Sequence, residues 1–253
     1  MPNYAHHTFE HGGIALWHIT ETADELYAQL CTTKYDTQLA EKKNDARRAE
    51  WLAVRLLIKE LFGPDAEVAY HPTGRPYLKI DTGCVILTTV ERKNLAQSHE
   101  ENLGTTVKAD VSAPIHISIS HTKGFAAVAY HRGAPIGMDV EYIASRVERI
   151  ASRFTTQTEA SYIDVCDEDA RQMYHLINWS AKETLYKLFD DTRKAEFKEA
   201  FHIAPYTLSE SGTLSTTICD ADSTSAEEVV EVVYQVYPDF VCTFAVRELG
   251  VGC

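Results

Sequence analysis

Long apolar runs are missing from this 253-residue chain. A membrane-spanning helix needs about 18 or more consecutive apolar residues, so none is expected. Basic residues are missing from one region: no Lys or Arg stands between Lys198 and Arg247, where Glu199, Glu210, Asp220, Asp222, Glu227, Glu228, Glu231 and Asp239 all lie. With a formal charge of −13, general nucleic-acid binding is not expected. Paired cysteines are missing too. Cys31, Cys84, Cys166, Cys219, Cys242 and Cys253 stand apart with no C-x-x-C, which excludes a zinc knuckle. The start, Met1 to His7, lacks the basic-then-apolar pattern of a signal peptide, so reduced thiols and a cytoplasmic location are expected. G-x-G-x-x-G, a Walker loop and a G-x-S-x-G elbow are all absent, which removes those nucleotide-binding and hydrolase classes.

What is present is acidic chemistry at regular spacing. Gly137-Met138-Asp139-Val140-Glu141 reads as a strand. Alternation puts Asp139 and Glu141 on one face, where two dry carboxylates repel each other and a hard cation such as Mg²⁺ would relieve them. Further on, Trp179, Glu183 and Lys187 recur at i, i+4 and i+8 of a helix and share a face. Three acids and a lysine suit metal-assisted phosphoryl-type transfer. The plain alternative for each motif is a solvated strand face or a surface ion pair.

The flanking chain reads as two halves joined at 131–135. Residues 1–20 read as extended, with His6, His7 and His11 near Trp17 and His18 as surface histidines or a metal site. Thr20 opens a helix running to about Cys31. A long helix is predicted from about Gln38 to Phe62, with Trp51, Val54, Ile58 and Leu61 in one stripe and Gly63-Pro64 as the stop. Lys42, Lys43, Arg47 and Arg48 make its first half either a face paired to Glu41, Asp45 and Glu50 or a phosphate clamp; Arg55 and Lys59 add to this earlier, basic side.

Strands follow at Glu67–Tyr70, Cys84–Val90, Ile115–Ser120 and Phe125–Tyr130, with Arg75 on a Gly-containing turn and a polar stretch over 91–113. After the acidic strand come a helix start at Thr155–Glu159, a long helix over Asp167–Phe189, and strands ending in a hairpin turned at Pro238-Asp239. The expected fold class is α+β: two lobes, 1–133 and 134–253, each with helices packed on a mostly antiparallel sheet, and a site between them.

In order and spacing, several motifs resemble the Sfp-type 4′-phosphopantetheinyl transferases. They are Gly74-Arg75-Pro76-Tyr77-Leu78, Ser118-Ile119-Ser120-His121-Thr122, Ile136 to Glu141, Phe154 with Glu159, and Trp179-Ser180-Ala181-Lys182-Glu183 with Lys187. The core of the match covers roughly 74–189, and Asp45-Ala46-Arg47-Arg48 fits more loosely.

The resemblance implies a pseudo-twofold fold with coenzyme A between the lobes. It implies transfer of the phosphopantetheine arm to a serine of an apo carrier protein, with Mg²⁺ and release of adenosine 3′,5′-bisphosphate. Asp139, Glu141 and Glu183 match the metal ligands, with Asp139, Glu183 and Lys187 catalytic and Glu183 as the base, directly or through water. Arg48, Arg75, Ser120, His121, Lys182 and Lys187 match coenzyme A contacts, Arg48 and His121 at the 3′-phosphate. Trp179 and Glu159 are expected to be structural.

Arg75 stands where a lysine is common, and Lys34, Lys42 and Lys43 are further candidates for phosphate. A chain carrying both lobes is expected to be a monomer. The competing readings are a binding module for coenzyme A or carrier without turnover, and a metal-dependent phosphohydrolase.

Overall fold

The computed structural model describes residues 3–80, 113–189, 197–219 and 228–247. The predicted strand Cys84–Val90 and the polar stretch over 91–112 lie outside the described residues. The protein is a mixture of helix and antiparallel sheet, an α+β fold.

The chain opens with a hairpin, β1 (Asn3–Phe9) and β2 (Gly12–His18). Three helices follow: α1 (Ala23–Leu30), α2 (Asp36–Ala40) and α3 (Asp45–Phe62). A two-stranded ribbon, β3 (Glu67–Tyr70) with β4 (Pro76–Lys79), precedes the hairpin of β5 (Ile115–Thr122) and β6 (Phe125–Arg132). The later half starts with β7 (Ile136–Tyr142) and a 3₁₀ helix (Ser145–Arg153), then α4 (Gln157–Ile163), α5 (Glu168–Phe189) and α6 (Phe197–Ala200). It ends in β8 (Phe201–Ile203), β9 (Ser211–Ile218), β10 (Glu228–Val236) and β11 (Phe240–Val246).

The first sheet has the order β1-β2-β6-β5 and the second β7-β11-β10-β9-β8. The same arrangement recurs in each: the strand before the long helix pairs with the last strand, which pairs with the one preceding it (β2-β6-β5 and β7-β11-β10). One core gathers Leu26, Leu52, Leu57 and Ile58 against Ala126 and Val128; another gathers Leu176, Ile177 and Leu185 against Val232 and Val241. A third, with Ile14, Leu16, Met138, Val140 and Phe240, fills the space between the two sheets.

Local chemistry moved two of the expected boundaries. The first helix is capped by Thr22, not Thr20, because Glu25 stands three residues after Thr22 and completes a reciprocal capping box. The helix expected from Gln38 is two helices, because Asn44 accepts the Arg47 N–H at 2.9 Å and starts α3 afresh. Gly63, at φ 96°, ends α3 in a conformation that side-chain-bearing residues avoid. The first twenty residues hold a hairpin that their patterning did not announce.

Candidate active site

The two sheets meet edge to edge, β5 against β7, without a backbone ladder between them. A row of hydroxyls on β5 takes its place. Ser118, Ser120 and Thr122, two apart and so on one face, accept the amide N–H groups of Met138, Val140 and Tyr142 at 3.0, 3.2 and 3.0 Å. This row brings the end of β5 alongside Asp139. Ser120 Oγ donates to Asp139 Oδ1 at 2.8 Å.

On the other side of β7 lies α5. Gly137 lets the helix come close: a Cβ there would stand 2.2 Å from the Thr184 carbonyl oxygen. The approach carries Ser180, Glu183 and Lys187 to the strand. Ser180 Oγ donates to Asp139 Oδ2 at 3.0 Å and is 2.9 Å from Thr243 Oγ1, which in turn is 2.7 Å from Thr184 Oγ1. Lys187 Nζ reaches Asp139 Oδ1 at 2.8 Å, Met138 O at 3.0 Å and Ser120 Oγ at 3.1 Å. Asp139 is 4% exposed, so this pairing is largely shielded from water. Trp179 Nε1 donates to Glu141 Oε1 at 2.9 Å, so the indole does more than pack.

A cleft of about 560 Å³ opens over this seam. Its β7 and α5 wall is Asp139, Glu141, Glu183, Tyr186 and Lys187. The facing wall comes from α3 (Trp51, Val54, Arg55), from Tyr70 and the turn Thr73–Pro76, and from Ile117–His121 of β5. Burial pushes the Glu183 carboxyl up to about 7; the Asp139 charge adds to this and Lys187 opposes it. Burial, then the Asp139 charge, raises Glu141, against the Trp179 hydrogen bond.

His121 faces α3. Arg47 Nη1 donates to Glu50 Oε2 at 2.9 Å and lies 3.1 Å from His121 Nδ1. His121 Nδ1 also lies 3.3 Å from Glu50 Oε2, so it accepts from the guanidinium when bare and donates to the carboxylate when protonated. Burial lowers the His121 pKa, with Arg47 and Lys187 adding to the effect and Glu50 opposing it.

Of the residues singled out from sequence, Asp139, Glu141, Glu183, Lys187, Ser120, His121 and Arg75 all line this one cleft. Lys182 and Arg48 do not. Lys182 is fully buried, its Nζ donating to Phe154 O at 2.5 Å and to Glu159 Oε2 at 2.9 Å. Glu159 also accepts the amides of Thr156 and Ile203, so the pair ties α4, α5 and β8 together. Coenzyme contact by Lys182 is therefore corrected to a packing role. Arg48 Nη1 lies 3.5 Å from Asp45 Oδ1, and it is Arg47 that stands beside His121. Lys34 pairs with Glu67 on β3, and Lys42 lies 5.5 Å from the centroid of the Trp51 ring.

The N-terminal histidines separate across the hairpin, His6 toward Tyr130 and His7 toward Tyr237. Sequence reasoning passed over the cleft positions of Trp51, Arg55, Tyr70 and Tyr186 and the hydroxyl of Ser180. A helical projection from Trp51 would have found Arg55, four residues on.

The carboxylates are hard oxygen donors of the kind Mg²⁺ takes, and all three edge the same cleft. Among the described residues, no three acidic, His or Cys side chains converge as a ligand cluster as they stand. Asp139 is turned to Lys187 and Ser120, and Glu141 to Trp179. The donor set thus fits the cation in chemistry, with side-chain rotation needed to converge on it. No helix among the described residues is long and apolar enough to cross a membrane.

A family model of the 4′-phosphopantetheinyl transferase superfamily matches residues 135–245. The matched span runs from the start of β7 into β11 and contains Asp139, Glu141, Glu183 and Lys187. The α3 and β5 walls of the cleft lie outside it. No relative among curated proteins matches the chain.

Proposed function

We propose that this protein moves the 4′-phosphopantetheine arm of coenzyme A onto a serine of an apo carrier protein, with Mg²⁺, releasing adenosine 3′,5′-bisphosphate. One observation carries the reading: Asp139, Glu141, Glu183 and Lys187, inside the span matched by the superfamily, line a single cleft with Ser120, His121 and Arg75 from the other sheet. The match supports phosphopantetheine transfer in general; the metal, the carrier and the Sfp-type kinship are our own extension.

Asp139, Glu141 and Glu183 would hold the cation, which when bound would screen the pyrophosphate charge. The chain's own residues supply the rest. Lys187, held by Asp139, Met138 O and Ser120, sets a positive charge where the phosphates would lie. His121, on the cleft wall beside Arg47, offers its imidazole toward the ligand's nucleotide end. Arg75 adds a cation on the turn beside it.

The carrier serine Oγ forms a bond to the pantetheine-side phosphorus, and its proton passes to the Glu183 carboxylate, directly or through one water. The bond from that phosphorus to the bridging oxygen breaks, and the electron pair leaves with adenosine 3′,5′-bisphosphate. A walled cleft contributes by holding serine and phosphorus in line. Both walls come from one chain, so a monomer suffices. A sizing column reading a larger assembly would contradict that part.

The test is mass spectrometry of apo acyl carrier protein incubated with the protein, coenzyme A and Mg²⁺, with an EDTA control. A gain of one phosphopantetheine arm, lost with EDTA, is expected. Coenzyme A binding with no gain on several unrelated carriers would favour a binding module.

A further inference from the structure

The two carboxylate oxygens of Asp139 face different surroundings. Oδ1 meets groups of the cleft wall: Lys187 Nζ and Ser120 Oγ each reach it at 2.8 Å. Oδ2 meets the packed side of α5, where Ser180 Oγ donates to it at 3.0 Å. Behind Ser180 stands Thr243 Oγ1, at 2.9 Å. Behind that stands Thr184 Oγ1, which is 2.7 Å from Thr243 Oγ1 and 3.2 Å from Thr243 O.

Ser180, Thr184 and Thr243 are each 0% exposed, and none of them lines the cleft. A buried hydroxyl is costly unless it is hydrogen-bonded. In a helix it commonly turns back to the carbonyl one turn earlier. Both partners of Ser180 Oγ lie off its own helix instead. Register and close approach bring them there. Thr243 is the cross-strand partner of Asp139 on β11, and Gly137 lets α5 come near enough for Ser180 to reach the strand.

The order of donors follows from the carboxylate, which accepts only. The single Ser180 proton goes to Oδ2, so Ser180 Oγ is left to accept and Thr243 donates to it. Thr243 Oγ1 in turn accepts from Thr184. Three hydroxyls thus form a directed row that ends on one oxygen of Asp139. The other two carboxylates have no such support. Glu141 is hydrogen-bonded by Trp179, and Glu183 by no side chain among the described residues.

We propose that Ser180, backed by Thr243 and Thr184, is a positioning residue: it fixes Asp139 through Oδ2, so that Oδ1 is the oxygen offered to the cation. This rests on the Mg²⁺ part of the reading above. Asp139 is then the fixed member of the three carboxylates, and Glu141 and Glu183 are the ones that adjust. Groups that orient a metal ligand from behind are worth about 10- to 100-fold in metal affinity.

The test is Mn²⁺ binding, with free Mn²⁺ read by electron paramagnetic resonance. Mn²⁺ takes the same oxygen donors as Mg²⁺. Coenzyme A is present and carrier is left out, so no turnover enters the reading. The proteins are wild type, Ser180→Ala, Thr243→Val and Thr243→Ser. Thr243→Val keeps the shape of the side chain and removes its hydroxyl, whereas Thr243→Ser keeps the hydroxyl and removes a methyl. Ser180→Ala is expected to weaken Mn²⁺ by about 10- to 100-fold, and Thr243→Val by about 10-fold. Thr243→Ser is expected to stay within about threefold of wild type, and coenzyme A affinity without metal within about twofold in every variant. Unchanged Mn²⁺ affinity in either Ser180→Ala or Thr243→Val overturns the proposal. An equal loss in Thr243→Val and Thr243→Ser overturns it too, because packing and not the hydroxyl would then be responsible. A parallel loss of coenzyme A affinity does the same, since it reports a loosened cleft. Wild-type protein that binds coenzyme A but no Mn²⁺ overturns the metal part of the reading above instead.

Discussion

Ser118 Oγ accepts the Met138 N–H at 3.0 Å, and so joins two sheets that share no backbone ladder. Ser120 and Thr122 repeat the contact two and four residues on. Three hydroxyls therefore fix the register between β5 and β7, and with it the placement of Asp139 opposite the β5 end. Removing one leaves a buried amide unsatisfied, which costs about 1–3 kcal/mol. Ser118→Ala is expected to lose stability in that range in urea unfolding. A change under about 0.3 kcal/mol would mean the row does not bind the sheets together.

Gly137→Ala should be costly for a steric reason. The added Cβ would lie 2.2 Å from a backbone oxygen of α5, which cannot swing aside as a side chain tip could. Overpacking of this kind costs about 1–3 kcal/mol. Because α5 carries Glu183 and Lys187, activity should fall further than the loss of folded protein accounts for. Thermal unfolding and transfer rate measured on the same sample check both parts.

Lys182→Met should destabilise strongly, by about 3–5 kcal/mol, since it leaves Glu159 buried without its cation. Adding Glu159→Gln to Lys182→Met should recover part of the loss. The double-mutant cycle decides this: additive losses would show the two side chains to be energetically independent.

Asp139→Asn keeps the size of the side chain and removes the charge that Lys187 and Ser180 address. Transfer is expected to fall by at least about 10²–10³-fold with the circular dichroism spectrum retained. Near-normal turnover of the carrier by mass spectrometry would sink the role assigned to this carboxylate.

Alkali should unfold the protein through buried thiol and phenol groups. Burial pushes the Cys242 thiol from 9.0 to about 12, and Tyr162 and Tyr237 from 10.0 to about 12. Between the lower values and about 12 the unfolded chain has released these protons while the folded chain keeps them, so the unfolded state is favoured. Stability is therefore complete below about pH 9 and falls as pH rises toward 12. Denaturant midpoints across that window test the sign. In native protein at pH 8, iodoacetamide should label exposed Cys31 and spare Cys242.

Much of the architecture was legible in the chain itself, because its signals are local. The spacing of Glu183 and Lys187, the alternation around Asp139 and Glu141, the turn at Pro238-Asp239 and the stop at Gly63 each depend on a few neighbouring residues. The α+β class follows from them. The helix caps were legible in kind but not in position, since Thr20 and Thr22 differ only in whether a glutamate stands three residues on. Lys182 was misjudged although it sits about a hundred degrees around the helix from Glu183, so a helical projection would have separated the two.

What the sequence by itself determined is which side chains share a face: Asp139 with Glu141 along a strand, Trp179 with Glu183 and Lys187 along a helix. That is a matter of backbone period, and period is written in spacing. Tertiary structure alone decided which of several chemically equal cations meets a carboxylate, the cleft or solvent. Lys182 found Glu159, Arg47 found His121, and Arg55 was buried with no acid beside it among the described residues. Those outcomes depend on groups 23 and 74 residues apart in the chain coming within hydrogen-bonding range, and on how little water remains around them. Neither quantity has a local signature.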